Sequence, residues 1–520
     1  MGWSDLVSKD LMEKFHSFLA HTYVTLGQVD GRTLLPLPPP DVTQSEKTSS
    51  KDKAATLETA ITYWTKQIKA ELRKDPEMAL KNANHPDPLT EIAFWKNKSE
   101  NLNSICEQLS SERIKKVLKF LEQNKSTQTS AFSKLQKEVQ IARAEAIENY
   151  KYLQTLEKYL EPLYTGNPET IKETLPALMN SIKMIHTIAR YYNTNERMTG
   201  LFVKITNQMI TNCKFNIVNF RNIKYGGKIQ GKMGSLSDPK EKVTTNFEDS
   251  GLWDETKYPH DELIAVLKSC QDLKEAYITQ YKFTKQRLES MPKAKQFDFN
   301  LTEIFGKFEL FSRRVRKLID LFSTIRQFKT LEKHNLENID DIVKKFNGYV
   351  SSFKSKITHP LLDYKDDTFD RDFVEFNVDV SSVETMLNEY IESNFRDIIS
   401  IEDSLKLLKK FRSILHRENL QNGLQKQYTQ LFGQYSRLIS RIEEEYQKKR
   451  TNPPIVRNLP IVSGSITWSR HLFHRASTPM AHFPANILKE GPSSNLGQRN
   501  KNNHHRQMAH HNRITYTLFY

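Results

Sequence analysis

Residues 304–325, Ile304-Phe305-Gly306-Lys307-Phe308-Glu309-Leu310-Phe311-Ser312-Arg313-Arg314-Val315-Arg316-Lys317-Leu318-Ile319-Asp320-Leu321-Phe322-Ser323-Thr324-Ile325, decide the fold class. Within them Ile304, Phe308, Phe311, Val315, Leu318, Phe322 and Ile325 recur at spacings that alternate four and three. An α-helix turns once per 3.6 residues, so this spacing lines those side chains along one stripe. Glu309, Arg313, Arg314 and Lys317 fall off the stripe and are expected in water. The richness in Phe suits burial in a helical bundle better than a narrow two-stranded seam.

The same period extends outward in both directions. Leu57, Ile61, Trp64 and Ile68 fall at four, three and four, and Leu153, Leu156, Leu160 and Leu163 at three, four and three. One window allows two readings. Val374, Phe376, Val378 and Val380 alternate as a strand would, whereas Phe369, Phe373, Phe376, Val380 and Val383 fit a helix. Helical neighbours on both sides favour the helix. The breaks between periodic segments are short: Pro86 to Pro88, Pro162, Asn167-Pro168, Pro292 and Pro360. Short breaks between long helices predict hairpins stacked along an axis. No fixed-period repeat is visible. The predicted architecture is all-α, an elongated stack of helical bundles and hairpins with a disordered linker and a disordered C-terminal tail.

The expected organisation begins with a helical segment over 1–35, carrying Leu11, Met12, Phe15, Phe18 and Leu19. A linker over 36–56 follows, opened by Pro36-Leu37-Pro38-Pro39-Pro40, where proline fixes φ and removes donors. The helical body is expected over 57–483, with a polar loop insertion over 214–249, and a divergent tail over 484–520.

Composition agrees with that outline. Glycine supplies 17 of 520 residues, far below the usual share of about 7%. Turn-rich barrels and sandwiches need more positive-φ positions than that allows. No run of 18 apolar residues occurs, so no helical membrane span is expected. Met1-Gly2-Trp3-Ser4-Asp5-Leu6 lacks a secretory apolar core, and Leu6 breaks the myristoylation pattern. Cys106, Cys213 and Cys270 stand far apart with no CxxC pair, which points to a reducing compartment. The net charge is +15. Residues 488–520 hold five Lys/Arg against one Glu, so +4 of it sits there and the rest is diffuse. A diffuse excess reads as a solvated surface, and the sharper alternative is a match to an acidic partner.

Candidate chemistry is sparse. Gly226-Gly227-Lys228-Ile229-Gln230-Gly231-Lys232 has the GxxxxGK form of a phosphate-cradling loop. That loop needs Ser or Thr next to ligate Mg²⁺, and a strand before it; Met233 follows instead, and Phe215 to Phe220 make a poor strand. Gly226, Gly231 and Lys232 are therefore read as a false P-loop. His504-His505 and His510-His511 have no carboxylate or thiolate at ligand spacing, so no metal site follows. His471 and His474 flank Leu472-Phe473 on a helix and read as surface residues, and Asp370 and Asp372 beside Arg371 read as helix-surface pairing. Aromatics interleave with Lys/Arg around Phe308 to Phe328, but they occupy the apolar stripe, which argues for a core and against a nucleic-acid face. No catalytic residue, cofactor or metal is assigned.

Several blocks carry a resemblance. They are Leu57-Glu58-Thr59-Ala60-Ile61-x-x-Trp64-x-x-Gln67-Ile68, Pro88-Leu89-Thr90-Glu91-Ile92-x-x-Trp95, Tyr191-Tyr192-Asn193-Thr194-Asn195-Glu196-Arg197-Met198-Thr199 with Leu201 to Met209, and Ile304-Phe305-Gly306-Lys307-Phe308. To these add Phe369-Asp370-Arg371-Asp372-Phe373-x-x-Phe376, and Asn452-Pro453-Pro454-Ile455-Val456-Arg457-Asn458-Leu459-Pro460 with Gly464-Ser465-Ile466-Thr467-Trp468. In this order they resemble the N-terminal tail of axonemal dynein heavy chains of the outer-arm type, over about 57–483. The resemblance implies a helical tail on which intermediate chains built as β-propellers, light or light-intermediate chains and neighbouring heavy chains assemble. It implies docking on the doublet microtubule, indirectly, in the axoneme of a cilium or flagellum. The family's motor is an ATPase ring of six modules, and none of its parts is recognised here, so the chain is expected not to be an enzyme alone. The similarity is expected to end after Phe483. A fragment, a short splice form and a gene-model error each account for that ending. The rival readings are a generic helical scaffold or tether without dynein partners, a nucleotide-dependent protein using Gly226 to Lys232, and a nucleic-acid binder using the basic tail.

Overall fold

The computed structural model describes residues 7–8, 10–12, 14–15, 18, 32–36, 50–76, 87–225, 250–291, 295–333, 336, 338–357, 360–398, 400–411, 414, 417–454 and 460–480. Among these residues no strand occurs. The chain divides into two compact units, Met1–Ile319 with Leu362–Lys365, and Asp320–Leu361 with Asp366–Tyr520.

The first unit is built from α1 (Ser50–Leu72), α2 (Pro88–Ser110), α3 (Glu112–Gln123), α4 (Thr127–Thr165), α5 (Pro168–Ile188), α6 (Asn195–Tyr225), α7 (His260–Glu289) and the first part of α8 (Leu301–Glu332). Two of the starts share one local cause. Asp87 caps α2 by accepting from the Thr90 N–H at 2.7 Å with Pro88 beside it, and Asn167 caps α5 through the Thr170 N–H at 2.9 Å with Pro168 beside it. A short polar acceptor followed by proline satisfies an orphan donor and presets φ. Helix α4 runs 39 residues and packs against α1, α2, α5 and α6. Its buried Leu153, Leu156, Leu160 and Leu163 are the stripe read from sequence.

Helix α6 solves the problem of the α4 C-terminus, where carbonyls lack intrahelical partners. Gln208, Asn212 and Asn216 recur every fourth residue on one face. The Gln208 amide donates to the Leu163 carbonyl at 3.2 Å, and Asn212 and Asn216 donate to the Gly166 carbonyl at 2.9 and 3.2 Å. Amide side chains thus replace water at a buried helix end.

The second unit comprises the rest of α8, α9 (Asp340–Lys356), α10 (Thr368–Asp397), α11 (Ile401–Lys410), α12 (Glu418–Lys449) and α13 (Ile461–Met480). Helix α10 packs on α9 and α12, and α13 on α12 and α11. Phe328 stacks on Phe346 at 4.1 Å, and Phe353 meets Phe376 at 5.0 Å. Leu472 and Ala476 of α13 bury against Ile442 of α12, with Trp468 stacked on Tyr446 at 5.9 Å.

The stripe of α8 is buried throughout, from Ile304 to Ile325. The ambiguous window is helical, with Phe369, Phe373, Phe376, Val380 and Val383 inside and Val374 and Val378 outside. Five particulars differ from the sequence reading. Residues 214–225, expected to open a loop insertion over 214–249, are the last turns of α6, and 226–249 lie outside the described residues. Arg314, expected in water, is 3% exposed. It lies three residues after Phe311 and four before Leu318, at the edge of a buried face wider than one stripe. Pro162 does not break the chain; it sits inside the last turn of α4, and the break comes at Gly166. Helix α1 begins at Ser50, earlier than Leu57. Residues 32–36 carry no helix. They are held by side chains instead: the Thr33 N–H donates to Asn101 Oδ1 at 2.6 Å, the Leu35 N–H to Gln108 Oε1 at 2.8 Å, and Trp64 Nε1 to the Pro36 carbonyl at 2.9 Å.

Candidate functional site

The Asp87 cap fixes where α2 starts, and that places Glu91 and Trp95 four residues apart on one buried face. Further along the chain, α5 ends at Ile188 and a single turn, Tyr191–Asn193, redirects the backbone into α6. The turn drives Tyr192 into the unit. Its hydroxyl donates to Glu91 Oε1 at 2.6 Å and accepts from Trp95 Nε1 at 3.0 Å. Lys204 of α6 donates to Glu91 Oε2 at 2.7 Å. Both carboxylate oxygens of a buried Glu are therefore engaged, one by a phenol and one by a buried ammonium. Burial, and then the Glu91 charge, push the Tyr192 phenol well above its usual range, so it stays a donor.

A second layer holds the turn. His186 contacts the Tyr192 carbonyl through Nδ1 at 3.1 Å and the Gln296 carbonyl through Nε2 at 3.2 Å. Burial lowers the His186 pKa, outweighing two carbonyls that favour the protonated ring. Lys295 donates to the His186 carbonyl at 2.8 Å and the Asn193 carbonyl at 2.9 Å. Arg197 lies 4.0 Å over the Tyr191 ring, and Tyr191 meets the Trp95 ring edge-on at 4.7 Å.

The second unit has its own clamp. Arg417, just before α12, donates to Glu384 of α10, to Thr324 Oγ1 at 2.8 Å and to Gln327 Oε1 at 3.4 Å. The other Glu384 oxygen accepts from Asn419 at 2.6 Å. Burial raises the neighbouring Asp320 carboxyl, which Arg417 partly offsets.

Both clamps saturate their carboxylates, which suits them to locking helices in register. Among the described residues no group of three or more His, Cys, Asp or Glu stands together as metal ligands would. The residues singled out in sequence scatter. Gly226, Gly231 and Lys232, and His504, His505, His510 and His511, lie outside the described residues. His471 and His474 are exposed on α13, and Asp370 and Asp372 lie partly exposed on α10. The clamps were not assigned from sequence, although Glu91, Trp95, Tyr192 and Lys204 all stand in the blocks that carry the resemblance. Pro88–Trp95 and Tyr191–Met209, far apart in the chain, meet here in one buried network.

These features define a class: an all-helical chain whose buried polar groups position helices and whose outer faces remain for contact. The chain belongs to the dynein heavy chain family. The family model described as dynein heavy chain, N-terminal region 1, matches residues 54–235 and 236–519, and so runs past Phe483. The chain is 36% identical over 445 residues to the dynein gamma chain of the flagellar outer arm of Chlamydomonas reinhardtii, covering 85% of this chain and 9% of that one. It is 34% identical over 436 residues to dynein axonemal heavy chain 5 of Mus musculus, covering 84% of this chain and 9% of that protein. With the outer-arm beta chain of Chlamydomonas reinhardtii it shares 31% identity over 498 residues, 92% of this chain and 10% of the relative. The chain thus spans about a tenth of the length of these relatives.

Proposed function

We propose that this chain acts as a tail segment of an axonemal dynein heavy chain. It assembles with intermediate chains, light or light-intermediate chains and neighbouring heavy chains, and helps anchor a dynein arm on the doublet microtubule of a cilium or flagellum. The observation that carries this reading is the match to the family's N-terminal region along almost the whole chain. The relatives named for flagellar outer arms supply the location. Helix faces, and not a pocket, do the binding, and the polar clamps hold those faces in fixed register. Motor activity is not a property of this segment alone.

The test is capture from ciliary extract with the 520-residue chain as bait, followed by blotting for dynein intermediate chains. Recovery at physiological salt supports assembly. A well-folded bait that recovers none overturns the reading and leaves a helical scaffold without these partners. Calorimetry with MgATP accompanies it, and nucleotide binding abolished by Lys232→Ala would contradict the non-enzymatic part.

A further inference from the structure

Two helices of the second unit bury one face and expose apolar side chains on another. On α13, Val462 and Ile466 are 73% and 49% exposed, while Leu472 and Ala476 face α12. On α10, Val374 and Val378 are 61% and 66% exposed, while the Phe369–Val383 stripe is inside. Each pair is spaced by four, so each forms a short seam on one side of its helix. Ser381 and Thr385 extend the α10 seam at three and four. Their hydroxyls donate to the Asn377 and Ser381 carbonyls at 2.9 and 3.0 Å. With those donors used inside the helix, another helix can press on the seam without stranding one.

The two seams carry opposite charge. Helix α13 holds Arg470 and Arg475 and no Asp or Glu. Arg475 reaches Glu445 at 3.1 Å, which leaves Arg470 as the cation on the outer face. Helix α10 holds eight carboxylates against two arginines, in a chain of net charge +15. Asp372, Glu375 and Asp379 border its seam on the α9 side, where Lys356 pairs with Glu375 at 2.8 Å, and the exposed Glu389 lies beyond Thr385.

We propose that α13 of one copy of this chain docks its Val462–Ile466 seam on the Val374–Val378 seam of α10 in a second copy. This gives a face to the heavy-chain association proposed above and rests on that reading. Charge favours one direction. A parallel pairing puts Val462 level with Val374, Ile466 with Val378, and Arg470 with Ser382, between Asp379 and Glu389. An antiparallel pairing brings Arg470 level with Asp370 instead, with the exposed Arg371 beside it opposing the contact. Each copy carries both seams, so a closed pair makes the contact twice and an open chain of copies once per neighbour.

Sedimentation velocity of the full chain from about 1 to about 100 µM tests this. The expected result is concentration-dependent association that Ile466→Asp and Val378→Asp each weaken at least about tenfold, because a carboxylate then loses water inside the contact. Arg470→Glu should weaken it, and adding Asp379→Lys should restore it, with helical content by circular dichroism unchanged throughout. A monomer at every concentration, including one whose seams are covered by its own residues 481–520, overturns the contact. So does association indifferent to both Asp substitutions. Intermediate-chain capture with the same variants separates the two readings. Capture without self-association overturns this contact alone, and self-association without capture overturns the proposed function alone.

Discussion

Replacing Lys204 with Met tests whether the Glu91 clamp holds the first unit together. The change keeps a long, flexible, apolar stem and deletes the ammonium that sits 2.7 Å from Glu91 Oε2. Glu91 then keeps the Tyr192 hydroxyl and loses its charge partner while remaining buried. Leaving one member of a buried ion pair uncompensated costs about 3–5 kcal/mol. For a cooperative unit of this size, roughly 250 described residues, each kcal/mol lowers the melting temperature by about 2 °C, so the expected drop is about 6–10 °C. Differential scanning calorimetry reads it, with Lys172→Met as the surface comparison, since Lys172 pairs with Glu169 at 3.8 Å in solvent. A surface pair of that kind is worth under about 1 kcal/mol. The double substitution Glu91→Gln/Lys204→Met removes both charges and keeps an acceptor for Tyr192, so it should recover much of the loss. If Lys204→Met costs no more than Lys172→Met, or the double variant is as weak as the single, the clamp does not act as a paired charge.

Three further outcomes follow from named contacts. Burial holds the His186 pKa below its ordinary 6.5, so the unfolded chain binds the proton more readily; its share of stability is complete above that value and falls as pH drops through it. Melting points recorded between pH 7.5 and 5 should decline, and His186→Gln should flatten the part of the decline that this ring causes. Gly166→Ala should cost about 1–3 kcal/mol in urea titrations, as overpacking does, because its new Cβ would stand 2.7 Å from the Pro162 carbonyl oxygen; an unchanged midpoint would show that α4 can shift there. Phe322→Ala, at a fully buried position of α8, should cost about 3–5 kcal/mol, and retention of the wild-type melting curve would remove it from the core.

The fold was legible where one apolar stripe faced a core. Leu57 to Ile68, Leu153 to Leu163 and Ile304 to Ile325 follow the helical period, and burial alone explains why. Polar burial was harder to read. Arg314, Lys204, Lys274 and Glu384 are all nearly inaccessible, yet a periodicity argument assigns charged residues to water by default. What reverses that default is a partner more than a hundred residues away for Lys204, or at the threshold of another helix for Glu384, and spacing along one helix contains neither. One signal was available in α6. Leu201, Phe202, Ile205, Met209, Ile210, Cys213, Ile217 and Val218 cover well over half its circumference, far more than the single stripe of a surface helix. A buried amide on such a helix must find an acceptor inside the protein, and Gln208, Asn212 and Asn216 are spaced by fours along one face. The end of α4 supplies most of those acceptors, and Asn216 also donates to Asn212 of its own helix. The same logic bears on the outer faces. Val374 and Val378 leave the buried pattern of α10, and their exposure marks them as surplus to the core. A side chain that the fold does not need and that water disfavours is where contact with another chain should be sought first.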